Sequence, residues 1–417
     1  MAIRNTSTPP AMAMYFQPAP PFCPYLLALM APSPSVSRIS SPLFYHPSTE
    51  VLLQFFKDKG GVLQHAAAAV AYVVDGNDMG ANMTARHTVA LLPEKPLTAK
   101  LFDTDSFQRL KQGYDVRINE TERRLSAAEA VPLVRDAEAA ITSWGAPKFD
   151  AELLEAAPRL KLLVHAAGTV KPFVSPELFA RGVRVSSSAS AIAEDVAVTA
   201  LGYIICGLKN AFLLSNSLRG GGWRKPELAQ PRDIFGKTIG VIGASRVGRA
   251  LLKLLRPLPV TVLLSDPFVD AAAALALGAQ ICSLEELLSR SHVVTIHAPA
   301  IEPLRNMFNA EMLSLLRSDV LLVNTARGML VNEAELVDFM RTRPNSCAIL
   351  DVTDPEPPAE DSPLRRLPNV ILTPHIAGST ESGLARIGRH VLHEIDAFFS
   401  TGQLKEEVTR EMLERIA

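Results

Sequence analysis

The chain has 417 residues, of which 48% are hydrophobic and 20% are charged, so it is long enough for two ordinary domains with substantial cores. Its 42 lysine and arginine residues nearly balance its 43 aspartate and glutamate residues, which argues against a nucleic-acid partner or an anionic membrane surface. The cysteines form no CxxC pair, so we expect no metal site, no disulfide framework and a reducing, cytoplasmic location: Cys23, Cys206, Cys282 and Cys347.

Residues 1–86 are predicted to be a disordered leader. Ten of the 31 prolines precede residue 48, and such a stretch does not hold regular helices or ladder strands. Residues 51–85 are apolar enough for a helix but match no part of the architecture inferred below. Two interpretations stay open: an over-extended start with Met79 or Met83 as the true initiator, or a plastid-type transit peptide. No apolar run approaches the roughly 20 residues needed to span a bilayer.

From about residue 87 the pattern becomes regular. Short β-branched runs (HTVALL, AAITSW, KLLVHA, VRVSS) alternate with helix-like stretches, which is typical of parallel βαβ units. A second series begins at Gly236 with TIGVIG, PVTVLLSD, HVVTIHAP, DVLLVNTA, SCAILDV and NVILTPH. These runs are almost continuously hydrophobic, as expected for strands covered on both faces. The sequence therefore predicts an α/β protein with two doubly wound parallel-sheet domains.

The second series opens with a candidate dinucleotide-binding loop between a strand and a helix. Its six residues are Gly243, Ala244, Ser245, Arg246, Val247 and Gly248. In such loops the first glycine permits a tight turn and the last lets helix and strand pack closely, while the helix N-terminus faces a diphosphate. The usual middle glycine is Ser245, whose Cβ would crowd the phosphates or whose hydroxyl would donate to them.

The next strand ends in Asp266. A carboxylate at that strand tip bonds the adenosine ribose hydroxyls and repels a 2′-phosphate, so the sequence favours NAD over NADP. The competing interpretation, in which the glycines serve only a βα turn and Asp266 caps a local element, does not explain why strand, loop, helix and acid all occur in order.

Three titratable or charged residues follow later strands. Arg327 stands in NTARGML, Glu356 in LDVTDPEPP and His375 in NVILTPHIAGS. Each lies just beyond the carboxyl end of a predicted strand, the edge at which open α/β sheets bind ligands. Taken singly, each has an ordinary structural interpretation as a surface arginine, a loop-starting Glu-Pro pair or a strand-end histidine.

Together these motifs resemble the D-isomer-specific 2-hydroxyacid dehydrogenases: Arg-Gly after a strand, then DVxxxEP, then TPHIxGST, all beyond a GxxxxG loop. The resemblance covers about residue 87 to the C-terminus. It implies a Rossmann NAD-binding domain at residues 194–375 and a flavodoxin-like, discontinuous substrate domain formed by residues 87–193 and 376–417. It also implies a homodimeric oxidoreductase that acts on the CH–OH group of a small 2-hydroxy acid, or reduces the matching 2-oxo acid, with NAD.

The resemblance also implies a catalytic role for each of the three residues. Arg327 would grip the substrate's carboxylate and carbonyl oxygen and stabilise the charge that builds there. His375 would donate a proton to that oxygen in reduction and remove one in oxidation. Glu356 would accept a hydrogen bond from the far ring nitrogen and hold the imidazole in place.

Further cofactor contacts follow from the same resemblance. Thr325 and Ala326 would meet the dinucleotide through their backbone, Asp351 would meet the nicotinamide carboxamide, and His297 with Pro299 would flank the adenosine. Arg246 and Val247 would complete the pyrophosphate cradle. For His297, a structural role as a buried strand-end histidine stays open.

The substrate loop departs from the family pattern, because only one glycine remains in KLLVHAAGTVKPFV. The matching residues are Ala167, Gly168, Thr169 and Val170. Ile192, Ala193 and Glu194 are the nearest match to the usual Val-Ala-Glu triplet. We predict helices from Glu194 to Leu208 and from Glu381 to Phe399 that cross between the domains as a hinge. No extra basic cluster near these loops points to a phosphorylated substrate.

Two other functions are alternatives to the dehydrogenase: an NAD-sensing binding protein and an amino-acid dehydrogenase. An NAD-sensing binding protein without turnover, as corepressors of this fold are, would not need the arginine, glutamate and histidine set. An amino-acid dehydrogenase would need a lysine near the nicotinamide, and between Lys237 and Lys405 only Lys253 occurs. The segment from Glu194 to Arg219, with Trp223, is predicted to form the dimer contact.

Overall fold

The computed structural model describes residues 86–223 and 230–416. The predicted leader, with both interpretations of its origin, falls before the first of these residues except for Arg86 itself. Two parallel sheets organise the described part of the chain.

The first sheet has five parallel strands in the order β2-β1-β3-β4-β5. This is the flavodoxin-like order. The central strands are buried along their whole length, which explains their unbroken runs of apolar residues. The strands are β1 (Thr88–Leu91), β2 (Asp115–Ile118), β3 (Ala139–Thr142), β4 (Leu162–His165) and β5 (Arg184–Ser187).

The second sheet has seven parallel strands in the order β12-β11-β10-β9-β6-β7-β8. Its order reverses between β6 and β9, as in a Rossmann fold, and this switch point is where such sheets bind dinucleotides. The predicted fold class is therefore confirmed. The strands are β6 (Thr238–Ile242), β7 (Thr261–Ser265), β8 (Gln280–Ile281), β9 (Val293–Ile296), β10 (Leu321–Asn324), β11 (Cys347–Leu350) and β12 (Val370–Leu372).

Helices connect the strands, and most start at a side chain that caps the first turn. Ser126, for example, forms a reciprocal capping box with Glu129. The helices are α1 (Lys95–Leu101), α2 (Thr104–Gly113), α3 (Ala127–Val134), α4 (Ala151–Glu155), α5 (Pro176–Ala180), α6 (Ala189–Leu208), α7 (Ala211–Arg219), α8 (Arg246–Leu255), α9 (Ala271–Ala276), α10 (Leu284–Arg290), α11 (Ala310–Ser314), α12 (Glu333–Thr342) and α13 (Glu381–Thr401). Four 3₁₀ turns are also present within the described ranges: Glu302–Leu304, Gly328–Leu330, Pro363–Arg365 and Glu411–Glu414.

The two predicted crossing helices are present, with shifted ends. Helix α6 begins at Ala189, one turn before the predicted Glu194, because the chain turns helical directly after β5. Its first turn packs with the first sheet through Ile192, and from Ala197 onward it packs with the second sheet. Helix α13 packs on β1, β3 and β4 with residues such as Ile387 and Val391, so it returns the chain to the first sheet.

Helix α6 is long and apolar enough to cross a membrane by length and composition alone. Half of it is buried inside the fold, and it packs against α8 and β10. The sequence-based statement that no apolar segment reaches this length was therefore too strict. Burial against two other elements is what a core helix of a Rossmann domain shows.

Candidate active site

His375 and Glu356 meet at the carboxyl edge of the second sheet. The Nδ1 of His375 is 2.5 Å from an Oε of Glu356, and the two side chains are 45% and 41% exposed. The hydrogen bond fixes the ring orientation and leaves the other ring nitrogen facing away from Glu356. This is the geometry of a proton-transferring histidine held by a carboxylate.

Backbone strain places His375 there. Its φ is 51°, in the left-handed region that costs a residue other than glycine about 1–3 kcal/mol. Its N–H donates to the carbonyl oxygen of Asp351 at 2.9 Å, and the next two N–H groups, of Ile376 and Ala377, donate to the Asp351 carboxylate. The turn that presents the imidazole is therefore held by one residue of the neighbouring strand end.

Asp351 has a structural role besides the one expected. The side chain is 1% exposed, and besides the two N–H groups it accepts the hydroxyl of Thr373 at 2.6 Å. This carboxylate positions His375, and its expected contact with the nicotinamide carboxamide stays a prediction. Tyr203 of α6 extends the same network by donating to Thr373 at 3.0 Å. Neither Tyr203 nor Thr373 was singled out in the sequence, because no spacing pattern links them to His375.

Arg327 lies on the loop after β10. The Asn324 side chain ties this loop together: its amide donates to the Arg327 carbonyl at 2.9 Å and its oxygen accepts the N–H of Ala326 at 3.0 Å. A Cβ on Gly328 would stand 2.0 Å from the carbonyl carbon of Thr353, so only glycine allows the loop to pack on the segment that leads to Glu356. The Arg-Gly pair is explained by this contact.

Burial lowers the pKa of Arg327, and the nearby charge of Glu356 partly offsets that effect. An arginine stays protonated under such conditions, so a cation with little water around it lies beside the carboxylate that holds His375. Its Nη1 donates to the Ala326 carbonyl at 2.6 Å. The structure thus brings Arg327, Glu356 and His375 together at one sheet edge.

The loop after β6 has the shape of a diphosphate cradle. Gly243 has a φ of 91°, and a Cβ there would lie 2.8 Å from the His297 carbonyl oxygen. A Cβ on Gly248 would lie 2.0 Å from the Gly243 carbonyl oxygen. Both glycines are therefore sterically required, the first for the turn and the last for helix–strand packing.

Ser245 is accommodated without strain. Its φ is −61°, and its hydroxyl oxygen accepts the N–H of Gly248 at 3.3 Å as the N-cap of α8. The serine proton stays available to donate outward, so the hydroxyl adds a donor to the backbone N–H groups that the loop offers to phosphate. The loop and helix N-terminus fit a dinucleotide.

Asp266 fastens this loop from the end of β7. One carboxylate oxygen accepts the N–H of Ala244 at 2.6 Å and the other accepts the N–H of Phe268 at 2.8 Å. Each oxygen keeps a second lone pair with which to accept a ribose hydroxyl. The position is the one expected for NAD, with an added structural role.

Arg246 and Val247 both have contacts within the protein. Arg246 forms a 2.7 Å ion pair with Glu406 of the C-terminal segment, and the Val247 side chain packs into the core of the second sheet. The expected contacts of both residues with a pyrophosphate stay predictions.

The residues expected to contact the cofactor near the adenosine and after β10 differ in burial. His297 is 3% exposed, bonds the Thr295 hydroxyl at 2.9 Å, and burial lowers its pKa to about 4. These contacts support the interpretation as a buried strand-end histidine, and the expected contact with the adenosine stays a prediction. Thr325 is 6% exposed and its hydroxyl has no hydrogen-bond partner among the described residues, whereas Ala326 and Pro299 are half-buried at the sheet edge.

The substrate loop follows β4 directly. Ala167 is buried, with its carbonyl oxygen accepting the N–H of Ser188, while Gly168 and Thr169 are half-buried. A Cβ on Gly168 would meet only a methyl of Ile192, at 3.8 Å, and the same Ile192 side chain packs closely against Gly378 beyond His375. The first turn of α6 therefore brings the substrate loop next to the His375 segment.

Lys171, two residues beyond Thr169, was missed in the sequence. Its ammonium donates to the Ala300 carbonyl, beyond β9, at 3.4 Å, and burial and the charge of Arg327 together lower its pKa. The lysines between Lys237 and Lys405 belong only to the second domain, and the expectation of no basic cluster near the substrate loop overlooked Lys171 in that loop. Within residues 86–223 and 230–416 no cluster of metal-ligating side chains occurs.

Comparison with known proteins gives one consistent match. Residues 201–377 match the family model described as D-isomer specific 2-hydroxyacid dehydrogenase, NAD binding domain. A D-3-phosphoglycerate dehydrogenase of Archaeoglobus fulgidus is 30% identical over 285 residues, which cover 68% of this chain and 53% of that protein. A glyoxylate reductase of Thermococcus onnurineus is 27% identical over 325 residues, covering 76% and 97%. The chain spans about half the length of the phosphoglycerate dehydrogenases that it matches.

Solved structures agree on the fold. A Thermus thermophilus protein aligns with a TM-score of 0.66 at 27% identity, covering 77% of this chain and all of the other. A D-2-hydroxyisocaproate dehydrogenase aligns with a TM-score of 0.67 at 20% identity, covering 78% and 99%, and at that identity it shows the fold alone.

Proposed function

Because this chain belongs to the D-isomer specific 2-hydroxyacid dehydrogenase family, an NAD-dependent family, we propose that it moves a hydride between NAD(H) and a small 2-oxo or 2-hydroxy carboxylic acid. The observation that carries this proposal is the 2.5 Å contact between His375 and Glu356 beside the half-buried Arg327. Neither a dinucleotide-sensing protein nor a structural domain needs that combination.

Each residue has a definable task in this reaction. Arg327 binds the substrate carboxylate and carbonyl oxygen and stabilises the negative charge that develops on that oxygen. His375 gives its proton to the same oxygen in reduction and takes it back in oxidation, while Glu356 keeps the ring oriented. Asp351, through Thr373 and the backbone at Ile376, keeps the histidine turn in place.

The cofactor, when bound, accepts or supplies the hydride. The residues that would hold it are the N–H groups at the start of α8, the Ser245 hydroxyl and the Asp266 carboxylate. The half-buried segment at Ala326 and the unpartnered Thr325 hydroxyl lie along the same edge. Their placement on both sides of the β6–β9 switch point fits an extended dinucleotide.

The proposal is tested with the purified full chain, NADH and a panel of 2-oxo acids: glyoxylate, hydroxypyruvate, pyruvate, phenylpyruvate and 2-oxoisocaproate. We expect loss of nicotinamide absorbance with at least one acid. Binding of NADH without turnover of any 2-oxo acid, including the dianions 2-oxoglutarate and 3-phosphohydroxypyruvate, would refute the proposed enzymatic activity. It would favour the dinucleotide-sensing alternative.

We further propose a homodimer. Large apolar side chains on α6, α7 and the following segment are exposed, among them Val198, Ile205, Leu218 and Trp223. Exposed large apolar side chains that follow one another along one stretch of the chain favour an interface there. Light scattering at micromolar concentration is expected to give twice the chain mass, and Ile205→Asp is expected to shift it toward the monomer. A monomeric wild-type chain would contradict the assignment.

The balanced charge and the absence of paired cysteines in the sequence support a cytoplasmic protein with no nucleic-acid or membrane partner. Fluorescence imaging of the tagged full chain checks this location, and a signal confined to an organelle or a membrane would contradict it.

A further inference from the structure

We propose that Lys171 determines substrate specificity, and that the preferred substrate is a 2-oxo or 2-hydroxy acid carrying a second anionic group, a carboxylate or a phosphate, remote from the reacting carbon. This inference rests on the proposed function and names the class of acid that the site takes.

Lys171 belongs to the loop after β4, directly beyond the residues expected to bind the substrate carboxylate. Its ammonium reaches across to the second sheet and donates to the Ala300 carbonyl at 3.4 Å. Ala300 follows β9, and β9 is the hydrogen-bonded neighbour of β10, which leads to Arg327. Lys171 therefore lies where the substrate loop and the catalytic edge meet.

Neither Lys171 nor Arg327 has a carboxylate counter-ion of its own among the described residues. Arg305, near the same edge, is paired with Glu302 and Asp354. Within the described ranges Lys171 forms no ion pair with a carboxylate, and its long bond to Ala300 uses one of three ammonium protons. Arg327 likewise has no ion-pair partner among these residues; its side-chain hydrogen bond goes to a carbonyl oxygen, and the nearby Glu356 is bonded to His375.

Lys171 and Arg327 are two cations that influence each other electrostatically. Burial lowers the pKa of Lys171, and the charge of Arg327 lowers it further. Two like charges, both partly removed from water, destabilise each other unless an anion lies between or beside them. The site is therefore built for more negative charge than its own carboxylates supply.

The charge count then selects the substrate. The proton that His375 carries for transfer balances Glu356. The carboxylate common to all 2-oxo acids then neutralises Arg327, and an acid with a neutral tail leaves Lys171 uncompensated. An acid with an anionic tail neutralises both cations. Lysine is a compact point charge on a flexible stem, so it serves a carboxylate or a phosphate equally well.

The test compares acids with a charged tail and related acids without that charge. One pair is 2-oxoglutarate and 2-oxohexanoate, and the other is 3-phosphohydroxypyruvate and hydroxypyruvate. For the full-length wild type we expect kcat/KM to favour the anionic member of at least one pair by about 10- to 100-fold, the value of a hydrogen bond between charged groups. The pair that shows the preference identifies carboxylate or phosphate.

Lys171→Met should remove that preference while changing kcat/KM for the neutral-tail acid less than about threefold, and Lys171→Arg should retain most of it. Lys100→Met, at an exposed lysine in the last turn of α1, is the matched control and should keep the wild-type preference. Equal losses for both members of a pair would mean that Lys171 binds the common carboxylate, and would overturn the proposal. So would a wild type without preference.

A binding measurement separates this inference from the proposed function. Calorimetric titration of the NAD⁺-loaded chain, which has no hydride to transfer to a 2-oxo acid, with 2-oxoglutarate or 3-phosphohydroxypyruvate should show binding that weakens about 10- to 100-fold in Lys171→Met. If no acid is turned over but this lysine-dependent binding persists, the dehydrogenase proposal fails and the anion site stands. If neutral-tail acids are reduced and the dianions bind alike to both proteins, the anion site fails and the dehydrogenase stands.

Discussion

Replacing His375 by alanine is expected to lower kcat by about 10²- to 10⁴-fold for whichever 2-oxo acid the chain reduces best. The imidazole is the group that supplies the proton to the carbonyl oxygen, and its bond to Glu356 keeps it in one orientation. The substitution removes no core contact, because the side chain is 45% exposed. Stopped-flow or steady-state absorbance of NADH measures the loss.

Two controls make this result specific. His393→Ala removes an exposed histidine from α13 and should leave kcat within about twofold of the wild type. NADH affinity, followed by nicotinamide fluorescence, should be the same for His375→Ala and the wild type, because the cofactor cradle lies on the β6 loop. A His375→Ala protein that retains its rate would exclude this histidine as the proton donor.

The sequence predicted the placement of this set because parallel strands impose it. Arg327, Glu356 and His375 each follow a predicted strand of one sheet, and parallel strands bring their carboxyl ends to a common edge. No side-chain geometry was needed for that inference. The same reasoning located the Gly243 turn and Asp266, which follow β6 and β7.

The sequence did not predict how these residues are held. The network under His375 joins Tyr203, Asp351 and Thr373, which lie far apart along the chain and have no common spacing. The ion pair between Arg246 and Glu406 depends on where the C-terminal segment returns after α13. Such contacts are set by tertiary packing, so the motifs alone did not show that Asp351 and His297 are buried and hydrogen-bonded within the protein.

Lys171 is a residue of the candidate site that the sequence did not predict. The second domain has no lysine near the site in its sequence. The loop after β4, in the first domain, nevertheless brings Lys171 to the Ala300 carbonyl. The crossing helices cause this juxtaposition, because the first turn of α6 contacts both the substrate loop, at Gly168, and the segment beyond His375, at Gly378. Which residues of one domain face the other cannot be obtained from periodicity within either.

The structure allows a strict test of Arg327 with a substitution that preserves charge. Arg327→Lys is expected to lower kcat/KM by about 10²- to 10³-fold, the usual cost of one lost donor to a developing oxyanion. A lysine presents one ammonium where the guanidinium presents a planar fork that bonds carboxylate and carbonyl oxygen together. The new amine would also stand beside Lys171, and two close ammonium groups in a half-buried site favour loss of one proton.

The matched control is Arg341→Lys, at an exposed position of α12 where the arginine pairs only with Asp338 among the described residues, and its kcat/KM should stay within about twofold of wild type. Because Arg327 acts on substrate and transition state, its loss should appear in both KM and kcat, whereas loss of His375 should appear mainly in kcat. An Arg327→Lys enzyme with unchanged kcat/KM would show that charge alone suffices at this position, and the bidentate role would have to be abandoned in favour of general attraction by the two cations.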